Sequence, residues 1–168
     1  MDILTPKGQE TLGQERMAIR LFTESFPGFD FIETPKDKPA DIDGFVVRRD
    51  DDEMSYNLGT LICGVEVKCR NMTVDQLKGE YNNRWLVTAD KIDRGVAICK
   101  GLGIDFRGFL YLVPNKMLLI VPIWSYEKGY VADIEYEQTQ TQATVNGGLA
   151  MRLNAYIDTG KAKVIAEG

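Results

Sequence analysis

LICGVEVK, residues 61–68, is an apolar stretch that contains two charged residues near its end. Its apolar and β-branched residues predict a β-strand, in which side chains two positions apart project from the same face. Glu66 and Lys68 therefore share one face, whereas Val65 and Val67 share the other. In a central strand, a buried carboxylate and a buried ammonium are costly unless they are paired or bound to a metal. The alternative is an edge strand with a solvated charged face, for which this run is too apolar.

The preceding predicted strand, residues 41–47, carries two further carboxylates, Asp41 and Asp43. If it pairs with residues 61–68 as a hairpin, its first residues lie near Glu66. Carboxylates a few ångströms apart repel each other at low dielectric, and a hard divalent cation such as Mg²⁺ relieves that repulsion. Either aspartate could be the ligand, and Asp43 is preferred because a glycine and an apolar run follow it directly. Lys68 would then lie beside the metal and orient or deprotonate an attacking water.

A third carboxylate is predicted to face the core from an N-terminal helix. Glu15 lies between Leu12 and Ile19 at the spacing of one helix face, with apolar neighbours on either side. The alternative is a glutamate on the helix surface, paired with Arg16 or Arg20.

The overall pattern predicts an α/β domain with a mixed central β-sheet flanked by helices. The length of 168 residues suits a single domain, residues 1–168, with one core. The acidic run at 50–53 is predicted to be a solvated hairpin connection. The other predicted elements are a helix at about 7–25, strands at 29–34, 41–47 and 61–68, a helix from Val74 to about Val87 capped by Thr73, a second helix capped by Thr88, a hairpin of 109–113 and 116–124 turned at Pro114-Asn115, and a β-rich tail at 130–168 with a turn at Asn146-Gly147-Gly148.

The composition excludes several kinds of active site. Histidine is absent, which excludes HNH nucleases, histidine-based triads and histidine-ligated zinc. The three cysteines form no CxxC pair. The net charge of −5 and the pI of about 4.9 disfavour non-specific adhesion to nucleic acid over the whole surface. Neither a signal peptide nor an apolar run of membrane-spanning length is recognisable, so we expect an intracellular, cytoplasmic protein without a membrane partner.

The run from Pro39 to Val47, followed by Val65-Glu66-Val67-Lys68, resembles the PD-(D/E)XK nuclease superfamily. The similarity covers roughly residues 8–100, and it departs from the family pattern in that Pro39 is not adjacent to Asp43. It implies a restriction-endonuclease-like core in which Asp43 and Glu66 bind Mg²⁺, with Mn²⁺ as a substitute. The Val67 carbonyl would be a further ligand, and Lys68 would assist the water. The resemblance also implies that Glu15 approaches the metal and that Gln76, on the helix after the catalytic strand, contributes to the site.

We therefore expect a magnesium-dependent nuclease that hydrolyses phosphodiester bonds in DNA, in a bacterial or phage setting. Arg70, Lys78 and Arg84 are candidate phosphate contacts, and Arg70 is the best of these because it lies two residues beyond Lys68. The alternative is a catalytically inactive protein of the same fold that acts as a nucleic-acid-binding, regulatory or structural subunit. The acidic pI and the lack of a separate DNA-binding module leave room for it. A homodimer is also left open.

Overall fold

The computed structural model describes residues 5–36, 40–49, 60–140, 148 and 151–166. The predicted connection at 50–53 and most of the predicted turn at Asn146-Gly147-Gly148 lie outside these residues. Within them, all three α-helices lie before residue 103, and the later part of the chain forms strands. The helices are α1 (Pro6–Ser25), α2 (Val74–Lys78) and α3 (Ala89–Leu102), and the strands are β1 (Phe29–Glu33), β2 (Gly44–Arg48), β3 (Leu61–Arg70), β4 (Arg84–Thr88), β5 (Asp105–Leu112), β6 (Met117–Ser125), β7 (Gly129–Tyr130), β8 (Ile134–Gln140), β9 (Met151–Asp158) and β10 (Lys163–Ala166).

Helix α1 begins and ends where the sequence predicts. The Thr5 hydroxyl accepts a hydrogen bond from the Gly8 backbone N–H at 3.0 Å, and Pro6 occupies the first turn, where no backbone donor is needed. The buried residues of the helix follow the predicted spacing of three and four. They are Gly8, Leu12, Glu15, Ala18 and Phe22.

Strand β3 lies inside the main sheet, whose order is β1-β2-β3-β5-β6-β10 with β7 paired to the end of β6. It is antiparallel to β2 and parallel to β5. The parallel pairing requires a crossover, which α3 provides by packing on β3 and β5. The hairpin of β5 and β6 turns through a 3-10 turn at Val113–Asn115, as predicted. The mixed sheet flanked by helices is thus confirmed, and the edge-strand alternative for β3 is wrong.

Two layers of apolar side chains cover the two faces of the main sheet. Val65 and Val67 of β3 pack with Ala18 and Phe22 of α1 on one face. On the other face, α3 and a second sheet of order β4-β9-β8 enclose a core around Trp85. Gly64 and Glu66 alternate with the two valines, so they project toward this second face.

The predicted helix from Val74 to about Val87 is wrong beyond its first turns. Helix α2 ends at Lys78, and Arg84–Thr88 forms strand β4, which is antiparallel to β9. Asn82 and Asn83 both adopt positive φ angles, of 52° and 61°, which a helix cannot accommodate. Trp85 is instead completely buried against Gly108, where a Cβ atom would lie 2.3 Å from the indole ring.

The tail is rich in β-structure, as predicted. Strands β8 and β9 form an antiparallel pair, whereas β10 returns to the main sheet beside β6. Among the described residues, no helix combines the length and the apolar character needed to cross a membrane.

Candidate functional site

Glu66 is a completely buried carboxylate (0% exposed) in the middle of the main sheet. The ammonium of Lys68 lies 3.1 Å from its Oε1 atom, close enough for an ion pair. Apart from this ion pair, neither oxygen of Glu66 accepts a hydrogen bond from any described residue. The predicted projection of both side chains from one face of β3 is therefore confirmed, and the carboxylate keeps unused acceptor capacity in a buried position.

Asp43 is held against β3 by main-chain contacts on both sides. Its Oδ2 atom accepts a hydrogen bond from the Val67 backbone N–H at 2.7 Å, and its own N–H donates to the Val65 carbonyl at 3.1 Å. The hydroxyl of Thr34 donates to the Asp43 carbonyl at 2.9 Å. The Asp43 side chain thus lies against the segment of β3 that contains Glu66.

The structure distinguishes Asp41 from Asp43, between which the sequence did not decide as the candidate metal ligand. The Asp41 side chain is half-exposed, and its Oδ1 atom lies 3.6 Å from the guanidinium of Arg94 on α3. Asp43, in contrast, is largely buried and bonded to Val67. The geometry therefore favours Asp43 as the partner of Glu66.

Glu15 faces the core, and Lys36, which the sequence interpretation missed, forms ion pairs with both Glu15 and Asp43. Lys36 Nζ lies 3.4 Å from Glu15 Oε2 and 3.7 Å from Asp43 Oδ1. Its ammonium thus lies between two carboxylates. Lys36 lies between the predicted strands at 29–34 and 41–47, and no periodic signal marks it, because its position depends on the docking of α1 against β1 and β3. The surface alternative for Glu15, pairing with Arg16 or Arg20, is wrong.

Burial and mutual repulsion shift the acidity of these carboxylates. Burial, reinforced by the negative charge of Asp43, raises the pKa of Glu66 to about 7, although Lys68 and Lys91 act in the opposite direction. Burial also raises the pKa of Glu15, while the charge of Lys36 lowers it and that of Asp43 raises it. Asp43 thus couples the two glutamates electrostatically, and the net effect favours a proton or another cation at each of them.

The donor set suits a hard divalent cation, which prefers carboxylate and carbonyl oxygens. Apart from the ion pairs with Lys68 and Lys36, the buried Oε1 and Oε2 atoms of Glu66 and the buried Oε2 atom of Glu15 accept no hydrogen bond from the described residues, so lone pairs remain for a cation. Within the described ranges, however, no three side chains of the His, Cys, Asp or Glu type are grouped closely enough to hold a metal by themselves. A cation at Asp43 and Glu66 would therefore need main-chain oxygens or water as further ligands.

The other predicted site residues lie farther along the fold. Gln76 is exposed on α2, where its Oε1 atom accepts a hydrogen bond from the Thr73 N–H at 2.8 Å and its own backbone N–H donates to the Thr73 hydroxyl at 3.1 Å. This is a capping box, so its side chain already has a structural role. Lys78 is exposed in the last turn of the same helix.

The two candidate arginines differ in their surroundings. Arg70 ends β3, and its guanidinium donates to the carbonyls of Cys69 and Leu86 at 3.2 and 3.4 Å. Arg84 lies on β4 rather than on the predicted helix, with its guanidinium 3.0 Å from Asp133 and 3.5 Å from Glu135. Two carboxylates thus already neutralise Arg84, which makes it a poorer phosphate ligand than Arg70.

The assembled group comprises three carboxylates and two lysines, from α1, the loop before β2, and β3. It can hold a divalent cation, orient a water molecule and take up a proton near neutral pH. Comparison of the chain with protein-family models, with curated proteins and with solved structures finds no match.

Proposed function

We propose that this chain is a magnesium-dependent nuclease that hydrolyses phosphodiester bonds in DNA. The observation that carries the proposal is the Glu66 carboxylate, which is completely buried in a central strand and, apart from its ion pair with Lys68 at 3.1 Å, accepts no hydrogen bond from the described residues. The sequence similarity to PD-(D/E)XK nucleases points to the same residues.

Physical chemistry supports a cation at this position. A buried carboxylate without hydrogen bonds costs on the order of several kcal/mol, and a second carboxylate beside it adds repulsion. Lys68 pairs with Glu66, and Lys36 lies between Asp43 and Glu15, so in these ion pairs two lysines face three carboxylates. Sites that keep such strain are commonly functional, because the strained groups bind something the isolated chain lacks.

The proposed roles follow from position. Asp43 and Glu66 hold Mg²⁺, or Mn²⁺ in its place, with the Val67 carbonyl as a further ligand. Glu15 supports the ion directly or through a water. A bound divalent cation supplies charge neutralisation at the phosphoryl group and lowers the pKa of a coordinated water. Lys68, next to Glu66, orients the attacking water.

Basic residues near Glu66 and Lys68 are the proposed substrate contacts. Arg70, on the same strand face as Lys68, is the first phosphate contact, and Lys78 on α2 is a second. Gln76 supports the site by fixing α2 through its capping contact. Because the chain carries a net charge of −5, we expect DNA to be held through this local basic group and the metal rather than by the whole surface.

The test is cleavage of supercoiled plasmid and of single-stranded DNA in the presence of Mg²⁺ or Mn²⁺. We expect cleavage by the wild type and a loss of about a hundredfold or more in Glu66→Ala and Lys68→Ala. Glu10→Ala and Lys100→Ala change exposed residues of the same types and are expected to keep wild-type activity. Cleavage that persists in both site variants would refute the assignment.

A second candidate is a nuclease-fold protein that binds nucleic acid, or regulates or supports a larger assembly, without cleaving. The observation that favours it is the ammonium of Lys36, which lies between the carboxylates of Glu15 and Asp43 where a metal would otherwise screen them. Fluorescence anisotropy with labelled DNA separates the two candidates. DNA binding that is independent of Mg²⁺, without cleavage and without heat of metal binding, supports the second.

A further inference from the structure

A cavity of about 350 Å³ opens on the face of the main sheet that α1 covers. It lies at the C-terminal half of α1, whereas Glu15 belongs to the N-terminal half. Its walls are mostly aromatic and aliphatic, and its size is at the lower end of the range for small-molecule sites, roughly 300–1,000 Å³. The apolar residues that define it include Phe22, Phe26, Phe29, Val46, Ile62 and Phe109.

All the charged side chains that line the cavity within the described part of the chain are basic, although the chain as a whole is acidic. They are Arg107, Lys161 and Lys163. Each is only weakly engaged: Lys163 Nζ lies 4.6 Å from the centroid of the Phe26 ring, Lys161 donates to the Val131 carbonyl at 3.5 Å, and Arg107 lies 3.9 Å from the Asp105 carboxylate. Three cations around an apolar cavity in a protein of net charge −5 form a local site for an anion.

We propose that this cavity binds a small organic anion with an apolar body, such as an aliphatic or aryl carboxylate. The apolar body displaces water from the phenylalanine-lined floor, and the carboxylate meets the three basic groups. Dispersion and burial supply most of the affinity, and the cations select the charged end.

The same lining argues against a nucleotide. Among the described residues, the side chains that line the cavity carry no hydrogen-bonding group apart from the three cations and the thiol of Cys63. The polar edge of a nucleobase would lose its hydrogen bonds to water without replacement, which costs on the order of 1–3 kcal/mol per group. A body without polar edges avoids that cost.

The site is independent of the proposed metal site. Cys63 lines the cavity and lies on the same face of β3 as Val65 and Val67, the face that α1 covers. Glu66 projects from the opposite face of the strand. Occupation of the cavity therefore does not require Glu66, and Glu66→Ala is expected to bind the anion as the wild type does.

The test is isothermal titration calorimetry of the full chain with decanoate, kept below its micelle-forming concentration, together with the shift of the thermal midpoint. We expect saturable binding of one decanoate per chain and a raised midpoint. Decan-1-ol, the uncharged equivalent, should bind about tenfold more weakly or worse. The double variant Lys161→Gln/Lys163→Gln should show a similar loss, whereas Lys7→Gln/Lys100→Gln, which changes two exposed lysines outside the cavity lining, should bind decanoate normally.

A second variant tests the cavity itself. Ile62→Trp fills the space with a larger side chain and should abolish binding while the basic residues remain. The proposal is overturned if decanoate shows no saturable binding to the wild type, or if it binds the lysine double variant as tightly as the wild type. It is also overturned if adenosine monophosphate binds more tightly than decanoate, or if the face proves to be occupied by a second copy of the chain in sedimentation experiments.

Discussion

Glu66→Gln is expected to make the metal-free protein more stable at neutral and alkaline pH. Glutamine has nearly the same shape as glutamate but cannot ionise, so it removes the buried charge and leaves the packing of β3 intact. The carboxylate it replaces is completely buried, and it has Asp43 as a repelling neighbour and Lys68 as its close cation.

The magnitude follows from the acidity of Glu66. Its pKa rises from an ordinary 4.5 to about 7 in the folded protein, and each unit is worth about 1.4 kcal/mol. Because the folded state holds this proton more tightly than the unfolded chain, wild-type stability falls as the pH rises from about 4.5 through 7. Above that range the cost approaches about 3 kcal/mol. This cost already includes the attraction of Lys68, so we expect a net gain of about 1–3 kcal/mol for glutamine at pH 8 and none at pH 4.

The assay is urea unfolding of both proteins in the presence of a chelator, at a series of pH values between 4 and 8. Glu10→Gln, on the exposed face of α1, is the matched control and should follow the wild type. A Glu66→Gln protein that is less stable than the wild type at pH 8 would refute the reasoning. A stability difference that does not change with pH would refute it equally, because the gain arises only from ionisation.

Three further substitutions test the surroundings of the site. Asp43→Ala should cost about 1–3 kcal/mol in urea unfolding because the Val67 N–H loses its acceptor, whereas Asp41→Ala should change stability by less than about 0.5 kcal/mol; equal effects would contradict this assignment. Lys36→Gln should tighten Mn²⁺ binding in calorimetry, because its ammonium no longer competes for the carboxylates, and an unchanged affinity would contradict that competition. Gln76→Ala should lower stability by about 0.5–1 kcal/mol through loss of the capping contact while leaving the specific cleavage rate within about twofold; a lost rate at unchanged stability would place this glutamine in the site instead.

The parts of the fold that the sequence predicts are those in which periodicity and burial coincide. The predicted spacing places Leu12 and Glu15 correctly on the buried face of α1, whereas Ile19 is only partly buried and Ala18 beside it is buried instead. The alternation in residues 61–68 correctly places Glu66 and Lys68 together, because a strand between two neighbours has only two faces. Both patterns are local in the sequence, and together they predict the orientation of Glu15, Glu66 and Lys68.

Strand β4 and Lys36 depend on contacts between distant parts of the chain. Arg84–Thr88 is a short apolar run whose period does not distinguish helix from strand, and its partner β9 begins only at Met151. Lys36 lies in a loop, and only the docking of α1 brings Glu15 within 3.4 Å of it. Neither contact has a signature within its own segment of sequence.

The central claim, that Asp43 and Glu66 form a divalent-cation site, is tested most directly by calorimetric titration of the metal-free protein with Mn²⁺ and Mg²⁺ at pH 8. We predict one site per chain in the wild type, weaker binding as the pH falls through about 7 and the Glu66 carboxylate takes up its proton, and no binding in Glu66→Gln. Wild-type protein that takes up no ion at pH 8, or a Glu66→Gln variant that binds as tightly as the wild type, would contradict the claim.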